Sequence, residues 1–103
     1  MAEIDPKVLN IRQDTSEQKF YMDMKGQEEV YLEYNLLTDR QPVVVEFTKY
    51  HVPDVLDAVG IGAEMARRGV KFADKNGYKI KPKCPLMSGF MSRHPEYQYL
   101  LAG

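Results

Sequence analysis

Apolar and polar positions alternate along the first half of the chain and fall into a three- and four-residue rhythm along the second. Leu9 and Ile11 are separated by Asn10 and followed by Arg12, the pattern of a short strand. In "KFYMDMKGQ", Phe20, Met22 and Met24 share one face, Tyr21 and Asp23 the other, and Lys25-Gly26-Gln27 is the turn. "EEVYLEYNLL" sets Val30, Leu32, Tyr34 and Leu36 against Tyr31, Glu33 and Asn35. Turn formers from Thr38 to Pro42 lead into "PVVVEFTKYHVP", the most β-prone run, which Pro53 closes. A regular pleat through that run puts Glu46, Thr48 and Tyr50 on one face and Lys49 and His51 on the other. Successive strands joined by short turns predict an antiparallel sheet.

Beyond Pro53 the period changes. Ile61, Met65, Gly69, Phe72 and Ala73 recur at the spacing of one helical face, with Asp57 as an expected N-terminal cap and Asn76-Gly77 as the stop. Gly69 inside that helix costs about 1 kcal/mol relative to Ala, and a close crossing over the sheet would account for it. "GYKIK" reads as a further strand, which Pro82 and Pro85 keep short. Leu86, Met87, Phe90 and Met91 suggest a short second helix, and "HPEYQYLLAG" a last turn with an apolar tail. The order predicts an α+β domain over residues 1–103, a mainly antiparallel sheet packed with helices.

Composition narrows the function classes. A chain of 103 residues has room for one modest core, and its charge is mixed. No run approaches the roughly 18 apolar residues of a membrane span, and the N-terminal residues lack the pattern of a signal peptide. With one cysteine, Cys84, and two histidines, neither a disulfide nor a zinc set is expected. The expectation is a cytoplasmic protein without a metal, without nucleic acid as partner and without a membrane. Residues 1–57 carry 12 acids and 6 bases, and residues 58–103 carry 3 acids and 8 bases. Unless the charges interleave on folding, the second half draws anions and the first half cations.

The chemistry concentrates at "VPDVLDAVGIGAEMARRG". Gly60 and Gly62 stand where a helix begins, so open N–H groups and the positive end of the dipole face whatever lies above them. Either a phosphate-bearing ligand approaches the backbone there or the chain simply turns tightly. The dinucleotide pattern fails, because Met65 stands where its third glycine belongs, and no Gly-Lys-Ser/Thr follows for a Walker loop.

The run "HVPDVLDAVGIGAEMARRGVKFADKNGYKIKPKCP" followed by "RHPEY" resembles the short single-domain members of the GNAT superfamily of N-acetyltransferases. Their order is a strand ending in Val-Pro, a glycine loop, a helix, a strand and then Pro-x-Cys-Pro, here Pro82-Lys83-Cys84-Pro85. The upstream "NIRQDTSEQKFYMDM…EVYLEYNLL" resembles the paired opening strands of the same subgroup, so the likeness spans about residues 8–100.

The resemblance implies acetyl-CoA as co-substrate and an amine as acceptor. The pantetheine arm would lie along Tyr50, His51 and Val52, and the pyrophosphate on the backbone of Ala58, Val59, Gly60, Ile61, Gly62 and Ala63. One departure stands out: Asp57 occupies the place of the motif's leading Arg or Gln, an acid that repels a solvated pyrophosphate by about 1 kcal/mol or less. Arg67, Lys71, Lys75 and Lys79 are expected to offset it.

Two side chains are candidates for catalysis. Glu46 is either a general base acting through water or an ion-paired strand residue. Cys84 is either an acyl acceptor or a proton donor to the leaving thiol, or else a buried filler; Lys81 and Lys83 would lower its pKa if they face it. As the resemblance has it, a histidine often occupies the place of Lys49, and a bulge would be needed for His51 to replace it. His94 is expected to be structural, and Met87, Phe90 and Met91 to be core. The alternatives to an enzyme are a CoA-binding module without turnover and a protein-interaction domain in which Gly60-Ile61-Gly62 is only a turn. The acceptor stays open between a small amine and a protein, and an open groove would leave a place for a second subunit.

Overall fold

The computed structural model describes residues 11–22, 29–53 and 60–102. Among the described residues, five strands form one sheet in the sequential order β1-β2-β3-β4-β5. These are β1 (Arg12–Asp14), β2 (Lys19–Met22), β3 (Val30–Leu37), β4 (Val44–His51) and β5 (Lys79–Pro82). The first four pair antiparallel, and β5 returns parallel to β4 after the crossover through α1 (Ile61–Asn76). The second helix, α2 (Pro85–Arg93), and a 3-10 turn (Pro95–Leu100) complete the described chain. This is the α+β architecture that the patterning predicts. The first described strand is Arg12–Asp14; residues 1–10, Met24, the turn at Lys25-Gly26-Gln27 and Asp57 lie outside the described residues. The N-cap of α1 is Gly60 rather than the expected Asp57, which stands three residues too early.

The alternation in β3 converts directly into burial. Val30, Leu32 and Tyr34 are buried against the helices, while Tyr31, Glu33 and Asn35 face the other way. On α1 the stripe Ile61, Met65, Ala66, Gly69, Val70 and Ala73 is buried on the same layer. Gly69 sits where the helix crosses the sheet most closely. A Cβ built there would lie 2.9 Å from Cε1 and Cζ of Phe47 and 3.4 Å from Cδ2 of Leu32, which accounts for the glycine. Met87, Phe90 and Met91 of α2 fill the same core.

Both ends of α1 are set by glycines in the left-handed region. Gly60 (φ 91°) is the N-cap and Gly77 (φ 73°) the C-cap. At the C-terminal end the N–H groups of Gly77 and Tyr78 donate to the carbonyls of Asp74 and Ala73, and the Asn76 amide donates to the Phe72 carbonyl. The outer edge of β5 is covered by the chain's own C-terminal residues. Leu101 bridges Ile80 in parallel, Ala102 N–H donates to the Ile80 carbonyl, and Lys79 Nζ donates to the Tyr99 carbonyl at 2.7 Å.

Candidate functional site

β4 and β5 pair in register from Val44↔Lys79 to Phe47↔Pro82, and Lys83 N–H adds one more bond to the Phe47 carbonyl at 3.0 Å. There the ladder stops. Pro82 has no N–H to give, and Cys84 and Pro85 turn the chain into α2. β4 continues through Thr48, Lys49, Tyr50 and His51, and among the described residues no strand pairs with these on the β5 side. The two parallel strands therefore part at Phe47, and Cys84 is the second residue beyond the last paired position.

A β-bulge at the same point changes which side chains meet. The partner of β3 jumps from Lys49, opposite Glu33, to Phe47, opposite Tyr34. Thr48 is the extra residue, and its hydroxyl donates to the Glu33 carbonyl at 3.5 Å. This corrects the face assignment drawn from a regular pleat. Tyr50 pairs with fully buried Leu32 and packs on the helix-side core, whereas Glu46, opposite Asn35, shares the outer face with Lys49 and His51. The bulge thus brings Glu46, Lys49 and His51 to one face. His51 is half-buried, with its ring 6.0 Å from that of Tyr31. Val52 packs against the core beside Tyr50.

Glu46 keeps only 15% of its side chain exposed and pairs with Lys83 at 3.7 Å. Cys84 is 3% exposed and is the N-cap of α2. Burial pushes the Cys84 thiol up; the N–H groups of Met87 and Leu86 pull it down by less. The expected activation by Lys81 and Lys83 is therefore corrected. Lys83 turns to Glu46, and neither lysine offsets the desolvation of the thiol.

At the other end of the candidate site, Gly60 carries no side chain to cap α1, and no side-chain hydrogen bond replaces one. The N–H groups at Ile61, Gly62 and Ala63 belong to the first turn and have no partner within the helix. Among the described residues, a Cβ on Gly60 would meet nothing within 4 Å. Gly60 is exposed and Ala63 half-buried, whereas Ile61 and Gly62 are buried, backbone included, so the accessible part of the junction is Gly60 and Ala63. Glu64 in the first turn is neutralised by Arg68 at 3.1 Å and Arg67 at 3.5 Å. Asp57, Ala58 and Val59 lie outside the described residues.

The cations expected to offset Asp57 are otherwise engaged or distant. Arg67 pairs with Glu64 and lies over the Phe90 ring, and Lys79 is bound to Tyr99. Lys71 and Lys75 lie about 15–21 Å along α1 from its start, at 1.5 Å per residue. His94 stacks on Phe90 with centroids 4.2 Å apart and contacts Glu96 at 3.3 Å. Among the described residues no cluster of three or more His, Cys, Asp or Glu is arranged to hold a metal, and no helix is long and apolar enough to cross a membrane. The bulge escaped the sequence reading, since no residue type in "VEFTKYH" distinguishes a bulged from a regular strand.

A family model described as GCN5-related N-acetyl-transferase matches residues 19–100. The fold is similar to the NMR solution structure of a GCN5-like candidate N-acetyltransferase from Staphylococcus aureus, with a TM-score of 0.71 at 25% identity, over 92% of this chain and 89% of that one. No match is found among curated proteins.

Proposed function

The chain belongs to the GCN5-related N-acetyltransferases, and from that membership we propose that it moves the acetyl group of acetyl-CoA onto an amine. The observation that carries the reading is the parting of β4 from β5 at Phe47, with Cys84 two residues beyond the last paired position. The residues present fit the co-substrate. The backbone of Thr48–Tyr50 has no β5 partner among the described residues, which suits an extended amide-bearing arm, and the start of α1 at exposed Gly60 carries no side-chain cap, which suits a pyrophosphate.

When bound, acetyl-CoA supplies the activated thioester. The residues of this chain hold and polarise it. Backbone N–H groups of β4 beyond Phe47 act on the thioester oxygen as charge develops there. Glu46, held by Lys83 on the face of Lys49 and His51, accepts the amine proton through a water. The new C–N bond forms as the C–S bond breaks, and the departing thiolate takes a proton. A thiol raised by burial stays protonated at neutral pH, so Cys84 is assigned the role of hydrogen-bond donor to that thiolate, which takes its proton from solvent, rather than acyl acceptor. The acceptor is an amine whose identity the outer face of β4 selects. The lone thiol, in no disulfide, suits a reducing compartment, and a cytoplasmic location is part of the proposal.

The same buried thiol and ion-paired Glu46 favour a second reading, a module that binds CoA without turnover. Calorimetry with acetyl-CoA on the native chain and on Gly60→Glu, together with CoA release in the presence of an amine panel, separates the two. Saturable binding that Gly60→Glu abolishes, with release that Glu46→Gln suppresses, supports the enzyme. Binding without release selects the module. No binding up to about a millimolar, weaker than roughly −4 kcal/mol, would sink both.

A further inference from the structure

A cleft of about 390 Å³ lies far from the parting strands, between the β1–β2 edge and the C-terminal half of α1. Its described lining includes Arg12 from β1, Arg68, Lys71, Phe72 and Lys75 from α1, and Phe20 from β2. No acid lines it among the described residues. Bringing four cations to one concavity is unfavourable without a counter-charge, because their fields add inside a low-dielectric wall.

Elsewhere most described cations have found partners: Lys19, Arg40, Lys49, Arg67 and Lys83 all pair with carboxylates. Arg12, Lys71 and Lys75 form no ion pair among the described residues. Arg68 is the pre-set member, fixed by Glu64 and donating to the Ile11 carbonyl at 3.4 Å, which ties α1 to the start of β1. The negative end of the α1 dipole would ordinarily oppose an anion here. Of its last carbonyls, those of Ala73 and Asp74 accept from the C-cap N–H groups and that of Phe72 accepts from the Asn76 amide, which reduces that opposition.

The floor of the cleft is aromatic. Phe20 and Phe72 meet edge-on with centroids 5.8 Å apart, and Phe72 is only half-buried, so part of its surface is open to a guest. The volume suits a small molecule. We propose that this cleft is a binding site for an aromatic anion, a phosphate- or carboxylate-bearing planar molecule whose charge meets Lys71, Lys75 and Arg12 and whose body rests on Phe20 and Phe72. It shares no residue with the glycine junction or with Tyr50–Val52, so it stands whether or not acetyl-CoA binds.

The test is a 15N NMR titration of the native chain with 1-naphthyl phosphate, compared with inorganic phosphate. Saturable shifts are expected at Arg12–Gln13 and Lys71–Asn76, with Kd below about a millimolar and at least fivefold tighter than for phosphate. Lys71→Ala/Lys75→Ala, a change of two exposed side chains, is expected to weaken binding at least tenfold. Lys81→Ala, which removes an exposed cation outside the cleft, is expected to leave it unchanged. Shifts that do not saturate, shifts centred on Gly60–Ala63, equal affinity for phosphate alone, or undiminished binding in the double variant would each overturn the assignment.

Discussion

Gly69→Ala tests the contact on which the helix-to-sheet spacing rests. On propensity alone the change favours α1 by about 1 kcal/mol. The new methyl would stand 2.9 Å from two ring carbons of Phe47 and 3.4 Å from Leu32 Cδ2, and both neighbours are fully buried. Carbon contacts are comfortable at about 3.5–4.0 Å, so the ring must retreat by roughly 0.6–1 Å. Its retreat is resisted by Tyr34, whose ring meets that of Phe47 edge-on at 6.2 Å. Overpacking of this kind costs about 1–3 kcal/mol. With the ring so confined we take the upper part of that range, which leaves a net loss of about 1–2 kcal/mol after the propensity gain. At about 4–8 °C per kcal/mol for a domain near this size, the thermal midpoint should fall by roughly 4–16 °C. Denaturant unfolding followed by circular dichroism reads the change directly. Phe47→Leu in the same background should recover part of the loss, a non-additivity expected of touching residues. A midpoint that stays level or rises in Gly69→Ala would refute the close-crossing argument. Phe47 is also the last residue of β4 paired with β5, so on the proposed function a displaced ring should weaken acetyl-CoA binding together with stability.

Gly60→Ala makes the complementary case: no described residue obstructs the methyl, but the left-handed backbone should cost about 1–2 kcal/mol in denaturant unfolding, and an unchanged midpoint would contradict the conformation at the N-cap. The thiol of Cys84 should alkylate with iodoacetamide more slowly than a free thiol at pH 8, with a pH–rate midpoint displaced upward; a downward displacement would reverse the assigned role. Because that folded pKa is raised, its contribution to stability is present below the ordinary thiol value of about 8.5 and fades as pH climbs through the folded value, which denaturant midpoints between pH 7 and 10 would record. Met65→Ala, at a fully buried position on α1, should cost about 2–5 kcal/mol by calorimetry, and a smaller loss would mean that the core collapses around the gap.

What the sequence discloses and what it withholds divide along physical lines. The alternation through Val30–Leu36 and the stripe of Ile61, Met65, Gly69 and Ala73 are local signals that became buried faces, while Phe72, expected on the same stripe, is only half-buried at its margin. Gly69 as a crossing point and Gly77 as a stop were legible for the same reason. Thr48 was not: a bulge depends on the register of the partner strand, and one unpaired residue there reversed the faces of Tyr50 and His51 relative to Glu46. Lys71 and Lys75 looked like companions of the glycine junction because they are near it in sequence. A helix of 16 residues carries them away from it, toward an arginine on the first strand. Cys84 between two prolines was recognisable as a feature, but the balance of desolvation against helix N–H groups that sets its protonation appears only after packing.

The parallel bridge from Ile80 to Leu101 reaches beyond the stability of this fold. A parallel outer strand normally offers a row of unpaired amides and carbonyls to any passing chain, and such rows seed fibrils and unwanted dimers. Here the Ile80 carbonyl is already taken by Ala102 N–H, and Lys79 binds the Tyr99 carbonyl across the same margin. Among the described residues the opposite margin is β1, three residues long. Association of copies by strand addition is thereby discouraged at the first and obtains little purchase at the second. Shortening the chain before Tyr99 would expose the β5 margin, and the price would appear as turbidity on storage before any loss of secondary structure.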